Sequence, residues 1–129
     1  MNYSVTSDHS RKLILYKHNG ILEEKDIGYV WVNEFLKMPE FTAGGYNLLS
    51  DYTEARFKMT PNDVSLIVDF MRNIVDIVNG KKQGIVINDP FSTAASLLFE
   101  QEVNREIGFR VKVFSTKEAA LKWLLDPEA

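Results

Sequence analysis

The hydrophobic rhythm of this chain changes near residue 20 and then alternates to the end, and that change restricts the fold more than any other feature. Side chains repeat every two residues along a strand and every ~3.6 along a helix, so each period assigns its own element. Lys12-Leu13-Ile14-Leu15-Tyr16-Lys17 is branched and aromatic, and it leads to Asn19-Gly20, a turn signal. Tyr3 to Thr6 is β-prone, and Ser7 to Arg11 between the two suits a hairpin loop. The chain is therefore expected to open with two antiparallel strands. From Glu23 the period lengthens. Ile27, Val30, Trp31, Phe35 and Met38 fall on one helical face, acidic residues fill the first turn, and Pro39 with Gly44-Gly45 stops the helix.

Tyr46 to Asp51 reads as a third strand, followed by a loop through Ala55, Arg56 and Phe57. Thr60-Pro61-Asn62-Asp63 has the form of a capping box with proline at the first helical position. It opens a helix with Val64, Ile67, Val68, Met71, Val75 and Val78 on one stripe, ended by Gly80. Gly84 to Asn88 is a continuous apolar run, as expected of a strand buried on both faces. Asp89-Pro90 caps a helix to about Ile107, and Phe109 to Phe114 alternates with period two. Ser115-Thr116-Lys117-Glu118 then opens a last helix with Ala119, Ala120, Trp123 and Leu124 inward. The predicted order is β-β-α-β-α-β-α-β-α. That is an α/β fold with one mixed sheet, an opening antiparallel hairpin and parallel crossovers. Residues 1–129 fit a single domain.

Composition removes several chemistries. There is no cysteine, which excludes disulfides, thiolate zinc sites and cysteine nucleophiles. Net charge is −3 with the basic residues dispersed, which argues against nucleic acid as a partner. No stretch approaches the ~18–20 apolar residues of a membrane span, and Met1 to Asp8 lacks the basic start and apolar run of a secretory signal. The expected location is the cytoplasm.

Three segments carry a family resemblance: Lys12 to Gly20, Tyr46 to Asp51 ahead of the long second helix, and Val111 to Leu125 with its Phe, short cap, Glu-Ala and Trp-Leu. Together with the element order they resemble the STAS domain, the SpoIIAA-like fold of bacterial anti-sigma-factor antagonists. The resemblance implies a regulatory or interaction module with a protein partner. Those antagonists carry an Asp-Ser-Ser/Thr-Gly-Leu run with a phosphorylated serine at the start of the second helix. Here Lys58-Met59-Thr60-Pro61-Asn62-Asp63-Val64 stands there, with Thr60 the nearest hydroxyl and Pro61 removing a backbone donor. The resemblance therefore implies a divergent member that lacks the phospho-serine motif.

In open α/β sheets ligands collect beyond the carboxyl ends of the strands. That edge should gather Asp51, Tyr52, Asn88, Asp89 and Ser115. Asp89 is accounted for as a helix cap and Asp51 as a turn residue. Gly44-Gly45 stands between a helix and a strand, which is the wrong context for a phosphate loop. His9 and His18, in a hairpin loop and beside a turn, are expected in solvent. No residue set points to a catalytic group, a metal or a cofactor. Tyr52, Phe57 and Phe91 fall in loops or at a helix start on the same edge, where they suit an apolar pocket or a partner patch. The expected function is a non-enzymatic interaction module using the surface around Thr60 and the second helix, or the edge near Tyr52, Phe57 and Phe91. The alternative is a binder of a small apolar ligand, a lipid or acyl chain, at the strand carboxyl edge. An enzyme resting on Asp51 and Asp89 comes third. The sequence leaves oligomeric state open, a homodimer included.

Overall fold

The computed structural model describes residues 2–129. Strand β1 (Asn2–Asp8) pairs antiparallel with β2 (Leu13–Leu22) in the register Asp8↔Leu13 to Asn2↔Asn19. Helix α1 (Glu24–Asn33) and the short α2 (Pro39–Thr42) lead to β3 (Asn47–Asp51) and β4 (Ala55–Phe57). Then come α3 (Pro61–Asn73), α4 (Val75–Val78), β5 (Lys82–Val86), α5 (Pro90–Glu106), β6 (Arg110–Phe114) and α6 (Lys117–Leu125). The strands form one sheet in the order β1-β2-β3-β5-β6, with β4 added to the far end of β2. All pairings after the hairpin are parallel.

Strand alternation sends successive side chains to opposite faces, and the two faces are covered unequally. Ile14 and Tyr16 of β2, Leu48 of β3, and Ile85 of β5 face a large core closed by Val30 and Trp31 of α1, Val68 and Met71 of α3, and Val103 of α5. Leu13, Leu49 and Val86 face the other way, against Ala120 and Leu124 of α6. That second layer is a single helix, so its seat must be close. Gly84 supplies it: a Cβ there would stand 3.2 Å from Leu124 Cδ1 and 3.4 Å from the Ala120 Cβ. The buried Lys82 fixes the helix end, its ammonium donating to the carbonyls of Trp123 at 3.1 Å and Asp126 at 2.8 Å. Orphan carbonyls at a helix C-terminus are thereby satisfied by a cation.

Five expectations are corrected. The turn signal Asn19-Gly20 does not end β2. Gly20 takes a φ of 102°, open to glycine, and the strand continues to pair Gly20–Leu22 with Ala55–Phe57. The stretch expected as a loop at Ala55, Arg56 and Phe57 is therefore a strand. The helix expected to run to Met38 ends at Asn33, and a 3₁₀ turn follows at Phe35–Lys37. Met38 is extended, as the residue before a proline must be, and Pro39 opens α2 rather than ending a helix. The second long helix is likewise broken at Ile74, and α4 begins at Val75. The buried strand starts at Lys82, two residues before the predicted Gly84.

Because α6 rests on the bare backbone of Gly84, Gly84→Val should overpack this seat and cost about 2 kcal/mol. Urea unfolding of the variant would show it as a lowered midpoint; an unchanged midpoint would mean that α6 is not seated there.

Candidate functional site

Three features of the fold carry chemistry: a polar cleft at the strand carboxyl edge, a groove between α3 and α5, and a row of polar groups inside the core. The cleft is lined by Gly20, Thr53, Glu54, Arg56, Asn88 and Asp89 and is about 550 Å³ in volume. Of the two carboxylates expected at this edge, Asp89 lines the cleft and Asp51 does not, and both are used locally. One oxygen of Asp51 accepts from Thr53 N at 2.9 Å and from Thr53 Oγ1 at 2.7 Å. Asp89 accepts from Ser92 N at 3.0 Å and from Ser92 Oγ at 2.6 Å, which holds its carboxyl below the usual carboxylate range. Ser92 Oγ in turn accepts from Phe57 N at 2.8 Å, so the α5 cap also anchors β4. Ser115 and Asn88 are exposed. Among the described residues, no group of three or more His, Cys, Asp or Glu side chains is placed to hold a metal ion. None of the described helices is long and apolar enough to cross a membrane.

Thr60 and Asp63 form the capping box the spacing predicts. Thr60 Oγ1 accepts from Asp63 N at 3.2 Å, and the Asp63 carboxylate accepts from Thr60 N at 2.8 Å. Thr60 and Pro61 also border a groove with Met59, Val64, Ala94 and Leu98, over which Phe91 stands. Phe91 is 68% exposed, an unusual state for an aromatic at the second position of a helix. Sequence candidates Thr60 and Phe91 thus share one groove.

Tyr52 and Phe57 do not lie in the edge cleft. Their rings pack edge to face at 4.9 Å and line a small apolar pocket of about 40 Å³ beneath α3. Beside it runs the polar row. The Gln83 amide donates to Ser50 Oγ at 3.0 Å, and Tyr52 sits against the hydroxyls of Ser50 and Tyr16. Tyr16 Oη lies 2.5 Å from His18 Nδ1. Burial raises both tyrosines above their ordinary range and pushes the His18 imidazole below its own, with Asp26 acting weakly against that shift.

His18 is the clearest correction, since it is 0% exposed where solvent was expected. The reason is the continuation of β2: Ile14, Tyr16 and His18 share one face of a strand that does not stop at the turn signal. That alternation is the sign by which the sequence could have placed it. His9 is exposed, its Nδ1 2.8 Å from Tyr46 Oη. Gln83 and Ser92 carry no comparable signal, because their partners Ser50 and Phe57 are 33 and 35 residues away.

No protein-family model matches the chain, and no curated protein does. Solved structures do. An uncharacterised DUF3478-family protein from Shewanella loihica PV-4, described as having a SpoIIAA-like fold, is similar over 95% of this chain and 93% of its own, with 17% identity and a TM-score of 0.58. The anti-sigma factor antagonist SpoIIAA in its unphosphorylated form is similar over 95% of this chain and 96% of its own, with 13% identity and a TM-score of 0.54. The protein has the SpoIIAA-like, STAS-type fold.

A buried histidine with a lowered pKa links stability to pH. The unfolded imidazole takes a proton near its ordinary value of about 6.5, while the folded one refuses it until lower pH. Stability from this site is therefore complete above that value and drains as pH falls below it. His18→Gln, which keeps a polar partner for Tyr16 but does not titrate there, should flatten this part of the profile. Urea midpoints measured from neutral to mildly acidic pH would check it, and parallel profiles for the two proteins would contradict it.

Proposed function

We propose that residues 1–129 form one non-enzymatic interaction module that docks a protein partner on the groove between α3 and α5. Phe91 is the observation that carries this reading. A phenylalanine left two-thirds in water at the mouth of an apolar groove is the kind of anchor that dominates protein interfaces. Thr60 and Pro61 build the opposite lip and are held rigid by the capping box, so the groove is formed before anything binds. A fold shared with an anti-sigma factor antagonist supports a regulatory role. The local use of Asp51 and Asp89 as turn and cap acceptors supports a role without catalysis.

Phe91→Ala should weaken the partner's affinity by at least ~2 kcal/mol, about thirtyfold, because an exposed anchor contributes to binding. The same change should leave folding stability within about 0.5 kcal/mol. Quantitative affinity enrichment from native lysate, comparing wild type with the variant, checks both halves alongside thermal unfolding. Equal recovery by the two proteins, or no reproducible partner for the wild type, would overturn the assignment.

A further inference from the structure

The sheet ends in two edge strands, β1 and β6, and they are finished differently. On β6, Arg110 N donates to the Lys81 carbonyl and the Phe114 carbonyl accepts from Ile87 N, both towards β5. The peptide groups of Val111 and Val113 therefore point away from the sheet. Side chains of α5 close them off. Asn104 accepts from Val111 N at 2.9 Å and donates to the Val111 carbonyl at 2.8 Å, and Glu100 accepts from Val113 N at 2.8 Å.

Strand β1 is not closed in this way. The Lys12 carbonyl accepts from Asn47 N, Gly20 N donates to Glu54, and the Leu22 carbonyl accepts from Lys58 N. Even-numbered peptide groups of β2 thus serve β3 and β4, which leaves the odd-numbered ones for β1. In the register Asp8↔Leu13 to Asn2↔Asn19, the N–H and C=O of Tyr3, Val5 and Ser7 then face outward. Among the described residues nothing bonds to them. The strand also lacks the proline, lysine or bulge that blunts an edge. Such an edge is a template for another strand.

The charges beside it select the strand that fits. Tyr3 and Val5 pack against the core on the α1 side of the sheet. Tyr3 Oη donates to Glu34 Oε2 at 3.0 Å, and Ser7 Oγ donates to Glu40 Oε2 at 3.0 Å. Neither glutamate forms an ion pair among the described residues. Two carboxylates thus flank the edge, at residues ~13 Å apart along the strand, with Val5 between them. A second copy suits this edge poorly. Antiparallel pairing about Val5 would set Tyr3 of one copy against Ser7 of the other, bringing Glu34 towards Glu40 at both ends.

We infer that the β1 edge binds an extended basic segment of a protein partner by antiparallel strand addition. Its Lys or Arg side chains stand opposite Tyr3 and Ser7, facing Glu34 and Glu40, and an apolar residue stands opposite Val5. The main chain supplies affinity and the two carboxylates supply selectivity. This surface shares no residue with the Phe91 groove and stands whether or not a protein docks there.

Titrating labelled protein with the peptide acetyl-Thr-Lys-Thr-Val-Thr-Lys-Thr-amide, read by amide chemical shifts, tests the inference. Saturable shifts at Tyr3, Val5 and Ser7 are expected. Replacing both lysines by glutamate should weaken binding about tenfold, and Glu34→Gln with Glu40→Gln should erase that preference. Methylating the nitrogen of the central valine removes a donor aimed at the edge and should abolish binding. Methylating the nitrogen of the following threonine, which points to solvent, should not. Phe91→Ala should bind the peptide as the wild type does. The inference is overturned if the lysine peptide gives no saturable shifts at the three amides, if the glutamate peptide binds equally, or if methylation of the valine is tolerated. Concentration-dependent shifts at the same amides without peptide would place a second copy on the edge and overturn it as well.

Discussion

Strand β2 holds this structure together, because among the described strands it alone pairs with three others: β1 along one edge, β3 along the other, and β4 at its far end. From Leu13 to His18 its side chains alternate between the two faces of the sheet, so a single register decides which groups meet each core. A slip of one residue would exchange Ile14, Tyr16 and His18 for Leu13, Leu15 and Lys17. The positive φ of Gly20 lets the strand pass its turn signal and reach β4. From that pairing follow the position of Phe57, the bond from Phe57 N to Ser92, and the wall of the pocket under α3.

The two faces of the sheet answer different needs. Towards α6 the contact is close and simple, with Gly84 admitting the helix and Lys82 capping its end. Towards α1, α3 and α5 the core is larger and carries a polar row across three strands. A row of that kind specifies register strongly where it is satisfied and costs stability where it is not. It is satisfied along Tyr16, Ser50 and Tyr52, while His18 Nε2 and Gln83 Oε1 at its two ends have no hydrogen-bond partner among the described residues. Burial of the His18 end holds its imidazole below the ordinary range, which predicts loss of stability in acid, and the Gln83 end is sealed beside the pocket under α3.

What could be read in the sequence is what local bonds decide. The caps at Thr60 and Asp89 act within three residues of themselves and the structure forms both, while the last helix is capped by Thr116 onto Ala119 N, one residue later than the Ser115–Glu118 box its sequence suggests. The element order and the mixed sheet follow from periodicity, which is also a local property. What could not be read depends on pairing across the chain. The three residues of β4 are too short for a periodic signal, and Gly20 looks like a stop until a partner strand is present. Lys82 and Gln83 read as polar residues ahead of an apolar run, yet both are buried because their partners come from α6 and β3. The division of the expected site has the same origin. Thr60 and Phe91 meet because two helix starts lie side by side, and Tyr52 and Phe57 turn inward because β4 draws Phe57 over the core.

The continuation of β2 into β4 can be tested directly by amide hydrogen exchange. Gly20 N donates to the Glu54 carbonyl at 3.0 Å, and Lys58 N donates to the Leu22 carbonyl at 2.8 Å. Slow exchange at both amides, with protection comparable to the centre of β2, is the expected result. Exchange as fast as in the loop at Ser10 and Arg11 would mean that residues 19–22 and 55–57 are unpaired, and the inward placement of His18 and Phe57 would lose its basis.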